Sequence, residues 1–192
     1  MRKVHRYQGI KEDVYLADFE PDPSFANALR QLRVKDEDVL VVARPPAREA
    51  LYHRFENELF DELITKLSSR DQVKIILIPR SEAQRDSFEQ RKLPNLIIPA
   101  QALDGANLIA FADLVISAGG TMNREAAALG VPAISVYAGE WAAIDEELVR
   151  EGRLKKLASR EEIETLVVGK KSGLNARRMT QVRAEVVKLI LE

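Results

Sequence analysis

The sequence predicts an α/β fold with a doubly wound, Rossmann-like parallel sheet of about six strands and helices on both faces. Largely apolar runs such as Val39–Ala43 and Leu114–Ser117 indicate strands that are buried on both faces. Amphipathic, capped segments separate these runs, and strands that alternate with helices are typical of a parallel sheet. Right-handed crossovers then place helices on both sides of that sheet.

The N-terminal part of the chain has weaker signals. Residues 1–22 are predicted to be irregular because glycine and proline punctuate them, with Val14–Leu16 as a candidate short strand. Ser24 is expected to cap a helix that continues to Leu32. The first strong strand, Val39–Ala43, follows this helix and leads into a Pro-Pro loop.

The middle of the chain repeats the strand–helix alternation. Ser81, with Gln84 three residues later, has the spacing of a capping box at a helix start. The predicted elements in order are helix Phe55–Leu67, strand Val73–Ile78, a helix from Ser81 to Gln90, strand Leu96–Ile98, helix Leu103–Phe111 and strand Leu114–Ser117.

The C-terminal part completes a single predicted domain over residues 1–192. Its elements are a helix from Thr121 to a terminating Gly130, strand Ala133–Val136, helix Trp141–Arg150, edge strand Leu154–Leu157, a helix opened by Ser159 and Glu162, and a last helix over 175–191. The apolar stripe of the last helix is unusually wide, which predicts burial against more than one surface. Its members are Met179, Val182, Val186, Val187, Leu189, Ile190 and Leu191.

Composition argues against several classes of function. The chain has 192 residues, 46% of them hydrophobic and 31% charged, which is typical of a globular domain with a sizeable core. The net charge of −1 gives no basic excess for nucleic acid or for an anionic membrane surface. No run approaches the roughly 20 apolar residues of a membrane helix, and no signal peptide is recognisable, so a cytoplasmic protein is expected.

Metal and disulfide chemistry is also not indicated. The chain has no cysteine, so it has neither a disulfide framework nor a thiolate metal site. Its two histidines, His5 and His53, are far apart in the sequence and show no ligand spacing. We therefore expect no metal and no cofactor.

The chemically most informative stretch is Gly119-Gly120-Thr121, which follows a buried strand and begins a helix. Ligands of open α/β sheets bind outside the carboxyl ends of the strands. A phosphate there meets free backbone N–H groups and the positive end of the helix dipole, and glycine lets the backbone approach the anion closely. Thr121 is expected either to cap the helix or to donate its hydroxyl to a phosphate oxygen.

Glu125 admits two interpretations. It lies four residues after Thr121, whereas a capping box needs the acid three residues on. A carboxylate at this distance from a phosphate site can accept two hydrogen bonds from a vicinal diol such as ribose. Alternatively, the acid only favours the helix dipole, with about 0.3–1 kcal/mol.

Two familiar nucleotide motifs do not fit. The fingerprint G-x-G-x-x-G is absent, and the Gly-Gly-Thr turn follows the fourth strong strand instead of the first. The segment Val168–Ser172 lacks the first glycine of a P-loop, because Glu164 stands in that place.

A family resemblance rests on these residues. Ser117–Thr121, Glu125 and Gly130–Ile134 resemble the donor-domain signature of GT-B glycosyltransferases and the matching segment of non-hydrolysing UDP-N-acetylglucosamine 2-epimerases. More closely, the chain is similar to the microbial family designated domain of unknown function 354. The matching pieces are Tyr7–Glu12 with Tyr15–Leu16, Arg44–Pro46 with Tyr52–His53, Leu77–Arg80 and Gly119–Ala127.

The resemblance implies a GT-B architecture, in which the active site lies between two Rossmann-like domains. Members are about twice as long as this chain, so we expect it to be their C-terminal half, without the N-terminal acceptor domain. Gly119, Gly120 and Thr121 would hold the donor diphosphate, and Glu125 would bind the ribose hydroxyls. The last helix would then lack the partner for its second face.

Further candidates follow from their positions. Arg44 and Arg80 close the first two strong strands, and either offers a guanidinium fork to a phosphate. Glu140, beyond the fifth strand, is placed by the resemblance near the donor sugar. Weaker candidates also have simple structural interpretations. Asp104 and Asn107 follow the third strand, near where a base would lie, but Asp104 is also a simple N-cap. Arg124 points to solvent or to the missing domain, Tyr52 and His53 follow the Pro-Pro turn near a helix start, and Trp141 is a core or domain-contact residue.

Three functions remain open on the sequence alone. The first is a donor-binding domain for a nucleotide sugar, UDP-linked, in a glycosyltransferase-like protein that is inactive without its missing domain. The second is a non-catalytic interaction module that pairs through the last helix, with a separate domain or with itself. The third is the donor half of a sugar 2-epimerase. The residues that would separate a transferase from an epimerase are expected in the absent half.

Overall fold

Six strands form one parallel sheet in the computed structural model, which describes residues 4–47, 58–173 and 177–191. The strands are β1 (Val39–Arg44), β2 (Val73–Leu77), β3 (Leu96–Ile97), β4 (Leu114–Ser117), β5 (Ala133–Ser135) and β6 (Leu154–Lys156). Their order across the sheet is β3–β2–β1–β4–β5–β6, and every neighbouring pair is parallel. This is the order of a doubly wound Rossmann-like sheet, so the predicted fold class is confirmed.

Helices cover both faces of the sheet. Within the described residues they are α1 (Lys11–Tyr15), α2 (Phe25–Gln31), α3 (Glu58–Ser68), α4 (Glu82–Gln90), α5 (Gly105–Phe111), α6 (Gly120–Leu129), α7 (Ala143–Arg150), α8 (Arg160–Glu164) and α9 (Val182–Leu191). Residues of α2, α5, α6 and α7 pack into the core on one face, and residues of α3, α4 and α8 pack into the core on the other.

The central strand β1 shows why its sequence is apolar without alternation. Leu40 and Val42 belong to one core, whereas Val41 and Ala43 belong to the other, and all four are buried. Each fully buried aliphatic side chain contributes about 1.5–3 kcal/mol relative to exposure. A strand with helices on both sides therefore needs apolar residues at every position.

The N-terminal segment differs from the prediction. Val14–Leu16 is not a strand, because helix α1 occupies Lys11–Tyr15. The Ile10 N–H donates to the Asp13 carboxylate at 3.0 Å, which satisfies one free amide at the helix start. Asp13 also pairs with Arg178 at 2.7 Å. This contact comes from the other end of the chain, so it left no local signal.

The last helix also begins later than predicted. Helix α9 starts at Val182, and residues 177–181 are not helical. Arg177 instead donates to carbonyl oxygens just beyond α1, at 3.4 Å for Leu16 and 3.1 Å for Ala17. These bonds hold the segment in a non-helical path. Residues 174–176, where the prediction began, lie outside the described residues, as do residues 55–57 at the start of the predicted helix Phe55–Leu67.

Helix α9 buries only one side of its wide apolar stripe. Val182 is buried and packs against Gly9, where a Cβ atom would lie only 2.7 Å from its Cγ2. Ile190 and Leu191 are 76% and 81% exposed at the far end of the helix. The expected burial against a second surface is therefore not made within the described residues. None of the described helices has the length and apolar character that a membrane crossing requires.

Candidate functional site

The candidate site lies where the winding of the sheet reverses. β1 and β4 are neighbours, and Arg44 at the end of β1 pairs in register with Ser117 at the end of β4. The chain leaves these two strands toward opposite sides of the sheet, which opens a crevice at their carboxyl ends. Both the Arg-Pro-Pro turn and the Gly-Gly-Thr turn border this crevice.

The Gly-Gly-Thr turn starts helix α6 at Gly120, with Gly119 as the N-cap. The Gly119 N–H donates to the Ser117 hydroxyl at 3.1 Å. Thr121 is the second helical residue and is exposed, so its expected role as the N-cap is wrong. Its other expected role, as a hydroxyl donor to a phosphate, stays a prediction.

Steric crowding by neighbouring side chains explains why this turn has glycine residues. Gly119 has an extended backbone that any residue can adopt, so conformation does not require it. However, a Cβ atom on Gly119 would lie 2.9 Å from Arg80 Nη2, and one on Gly120 would lie 2.8 Å from Arg124 Nη2. Two guanidinium groups therefore lie directly against the bare backbone at the N-terminus of α6. Side chains on this turn would displace them.

Arg44 has an unusual environment in the crevice. Its Nε atom is buried and has no hydrogen-bond partner among the described residues. Burying such a donor without a partner costs about 1–3 kcal/mol. The neighbouring Arg80 is anchored, because its Nε donates to the Pro45 carbonyl at 3.0 Å. The two predicted phosphate-binding arginines thus line the same crevice, one anchored and one with an unsatisfied donor.

Arg124 corrects the sequence interpretation. It was expected to point to solvent or to a missing domain, but it folds back along α6 and forms a bidentate pair with Asp145. The two bonds measure 2.7 and 2.8 Å, and both side chains are largely buried. The hydrogen bond to Asp145 raises the pKa of Arg124 further above its ordinary value. Its guanidinium therefore remains a fixed cation beside Gly120.

Two cavities share this crevice. The first, of about 460 Å³, extends from the Gly-Gly-Thr turn toward β5 and α7, and Tyr137, Glu140 and Trp141 line its far side. The second, of about 510 Å³, extends toward the loops after β2 and β3 and includes Glu125. The predicted site residues all line one or both cavities: Arg44, Arg80, Gly119, Gly120, Thr121, Glu125 and Glu140.

Glu125 has a partner that the sequence did not suggest. Tyr15, which ends α1, donates its hydroxyl to Glu125 Oε1 at 2.7 Å. Burial and, next, this hydrogen bond raise the pKa of Tyr15, so the phenol stays protonated as a donor. The segment around Tyr15 contributed to the family resemblance, but no periodicity or motif connects positions 15 and 125.

The weaker candidates have structural roles or fall outside the description. Asp104 caps α5 by accepting the Asn107 N–H at 2.7 Å, as the simple interpretation expected. The Trp141 indole donates to the Tyr137 carbonyl at 3.2 Å while it lines the first cavity. The two aromatic residues of the Pro-Pro region, Tyr52 and His53, lie outside the described residues.

The fold and the crevice define a Rossmann-like α/β domain of the kind that GT-B proteins contain. The chain belongs to the family described as protein of unknown function DUF354, which matches residues 2–192. It is 32% identical over 149 residues to the uncharacterised protein MJ0665 of Methanocaldococcus jannaschii, covering 76% of this chain and 42% of that protein. The chain thus spans less than half the length of this relative.

Solved structures show the same fold. The UDP-GlcNAc 2-epimerase of Methanocaldococcus jannaschii matches with a TM-score of 0.61 and 18% identity, over 93% of this chain and 51% of that one. The same enzyme in complex with UDP-GlcNAc and UDP gives 0.57 and 15%, over 95% and 52%. The spinosyn rhamnosyltransferase SpnG gives 0.52 and 13%, over 83% and 38%. The expected GT-B likeness of the fold is confirmed.

Proposed function

We propose that this chain is the donor-binding domain for a nucleoside diphosphate sugar, UDP-linked, in a GT-B-type glycosyltransferase-like protein. The observation that carries the proposal is the buried Nε of Arg44, which has no hydrogen-bond partner among the described residues and lies across the crevice from the Gly119–Gly120 helix start. An unsatisfied cationic donor and a bare helix N-terminus both favour an anion at the same place.

The diphosphate fits the centre of the crevice. There the amides of Gly119 and Gly120 lie between the guanidinium groups of Arg80 and Arg124, with Arg44 beside them. Fixed cations and helix amides can offset the charge that develops on a leaving diphosphate. The protein would need no metal for this electrostatic role, and the absence of a metal remains a prediction.

The two cavities suit the two ends of such a donor. We assign the sugar to the first cavity, where Glu140 and the aromatic pair Tyr137 and Trp141 provide polar and apolar contacts. We assign the nucleoside to the second cavity, where Glu125 offers a carboxylate to the ribose and Pro79 and Leu103 offer apolar surface to the base. The assignment is supported by a relative in fold that was solved with UDP-GlcNAc and UDP.

The short length of this chain relative to the epimerases that share its fold supports a second, partner domain. The chain covers about half of the epimerase chains that share its fold, so we infer that the acceptor site and a catalytic base lie on a second domain, covalently attached or separate. The exposed end of α9, with Ile190 and Leu191, is the surface that we assign to this contact or to self-association. A cytoplasmic location remains a prediction.

Two alternatives make different predictions in solution. An epimerase donor half would also bind UDP-sugars, so only a reaction with the second domain present would separate it from a transferase. A pure interaction module would self-associate or bind a partner without any affinity for nucleotides. The fold likeness to an epimerase favours the first alternative, and the exposed end of α9 favours the second.

Direct binding tests the proposal. The chain is titrated with UDP, UDP-N-acetylglucosamine and pyrophosphate by calorimetry, while thermal melts compare these with GDP- and CDP-linked sugars. We expect binding of a nucleoside diphosphate and a concentration-dependent rise in melting temperature. No heat and no shift with any nucleotide at millimolar concentration would refute the proposed function.

A further inference from the structure

The contact between Tyr15 and Glu125 joins the N-terminal segment to the candidate nucleoside cavity. The two residues are 110 positions apart, and the phenol hydroxyl lies 2.7 Å from Glu125 Oε1. Tyr15 is half exposed, so it could have been oriented toward solvent. A tyrosine hydroxyl that binds a carboxylate at this distance forms a strong, charge-assisted hydrogen bond.

Helix α1 is firmly held, which fixes the position of the phenol. Asp13 and Arg178 form an ion pair at 2.7 Å, with side chains that are only 1% and 9% exposed. Arg178 also binds Glu151 beyond α7 at 2.6 Å. Buried, multiply bonded pairs hold elements in one arrangement, because breaking them leaves an uncompensated charge. Tyr15 is therefore presented to Glu125 from a rigid support.

Apart from Tyr15, the described surroundings of Glu125 offer no hydrogen-bond partner to its carboxylate. In residues 4–47, 58–173 and 177–191, Tyr15 is the sole hydrogen-bond partner of its carboxylate. The adjacent Arg124 is engaged with Asp145, and the buried carboxylate of Glu12 lies near enough to interact unfavourably with Glu125. A glutamate side chain has three rotatable bonds, so without an anchor its carboxylate would sample several rotamers.

The bond also leaves most of the carboxylate available. A carboxylate has about four acceptor positions on two oxygens, and Tyr15 occupies one of them on Oε1. A vicinal diol needs two. Glu125 lines the second cavity, so an oriented carboxylate can accept both hydroxyls of a ribose without releasing Tyr15.

We propose that Tyr15 is a positioning residue, which orients Glu125 toward the 2′,3′-diol of the nucleotide and thereby gives the site its preference for ribonucleotides over 2′-deoxyribonucleotides. This inference rests on the proposed function, because it assumes a nucleotide in the second cavity. It adds a residue from outside the Gly-Gly-Thr motif and a specificity that the motif does not determine.

The test is the ratio of affinities for UDP and 2′-deoxy-UDP, measured by calorimetry with pyrophosphate as a third ligand. In Tyr15→Phe we expect UDP to bind about tenfold more weakly, because one charge-assisted hydrogen bond is lost. Binding of 2′-deoxy-UDP, which keeps only the 3′-hydroxyl, should weaken less than that of UDP, and binding of pyrophosphate should change less than twofold, so the ratio falls. Tyr7→Phe is the matched control and should leave all three affinities unchanged.

The variant Glu125→Gln distinguishes a failure of the role proposed for Tyr15 from a failure of the proposed function. We expect it to lower the ratio at least as much as Tyr15→Phe, and adding Tyr15→Phe to it should lower the ratio no further, because the two residues act through one contact. A ratio that survives in Tyr15→Phe but falls in Glu125→Gln would overturn the role of Tyr15 while leaving the proposed function intact. Equal weakening of all three ligands would mean a merely structural role and would also overturn it. A wild-type chain that binds no nucleotide would refute both.

Discussion

The parallel sheet has an amino edge, where its strands begin, and a carboxyl edge, where they end. Buried charges have opposite environments at these two edges. At the amino edge, the Asp113 carboxylate is buried and accepts the N–H groups of Leu40 at 2.8 Å and Lys171 at 3.0 Å. It also pairs with Lys170 at 3.1 Å. At the carboxyl edge, the buried Arg44 Nε has no partner among the described residues.

If the proposed function holds, the two edges show that cavity size alone does not identify the site. A larger groove, of about 970 Å³, lies beside Asp113 at the amino edge. The amine of Lys171 there donates to the carbonyls of Ala110 and Ala112, so its hydrogen bonds are supplied by the fold. At the carboxyl edge, the Arg44 Nε and the amides that begin α6 are the groups that the proposed function assigns to a ligand. The first network supports stability, whereas we propose that the second edge binds an anion.

The largest expected effect tests the amino edge. Asp113→Ala should lower the free energy of unfolding by about 3–5 kcal/mol, because it leaves two buried N–H groups and a lysine without their acceptor. Urea denaturation followed by circular dichroism measures this loss. Asp71→Ala, at an exposed aspartate, is the control and should change stability little. A loss below about 1 kcal/mol would contradict the interpretation of this edge as a structural network.

The next effect tests the glycine turn at the carboxyl edge. Gly120→Val should weaken both UDP and pyrophosphate at least about a hundredfold, because its side chain displaces the Arg124 guanidinium and shields the helix amides. Calorimetry measures both affinities, and the melting temperature confirms folding. Gly169→Val, where a Cβ atom meets open space, is the control. Unchanged pyrophosphate binding in a folded Gly120→Val protein would contradict a phosphate-binding site at this turn.

Substitution of Arg44 tests whether this buried charge serves anion binding, in contrast to the stabilising charge at the amino edge. Arg44→Met should weaken pyrophosphate about tenfold. Unlike Asp113→Ala, it should leave the free energy of unfolding unchanged or raise it by about 1 kcal/mol, because it removes a buried donor that has no partner in the described part of the chain. Arg6→Met, at an exposed arginine, is the control for lost charge. A clear loss of stability together with unchanged anion binding would assign Arg44 to the fold instead of the site.

The smallest expected effect concerns Glu12, near the carboxyl edge. Burial raises the pKa of Glu12, and its Oε1 has no hydrogen-bond partner among the described residues. Between the ordinary glutamate pKa, about 4.3, and the raised value, the folded state binds more protons than the unfolded state, so stability falls as pH rises.

Glu12→Gln should remove this dependence on pH. We expect its melting temperature to exceed that of the wild type by on the order of 2 °C at pH 7 and by less at pH 4. Thermal melts across this range measure the difference, with Glu185→Gln on an exposed face of α9 as the control. A difference that shrinks as pH rises would contradict the raised pKa.

Much of the fold could be predicted because its signals are local. The apolar runs, the capping serine before α8 and the C-terminal glycine of α6 are each readable within a few residues. The prediction of secondary structure is wrong where contacts between residues far apart in the sequence determine the local conformation. Helix α1 is tied by Arg178, and the residues before α9 are held by bonds to α1, so neither could be inferred from neighbouring positions.

The sequence by itself determined the alternation of strands and helices and the bare turn at Gly119–Gly120, because both depend on residue types that are close along the chain. Only the tertiary structure decided which side chains meet there. It paired Arg124 with Asp145, left the Arg44 donor without a partner among the residues that the structure describes, and brought Tyr15 into contact with Glu125. The physical reason is that a hydrogen bond depends on distance in space, and packing brings together residues whose separation in sequence carries no periodic signal.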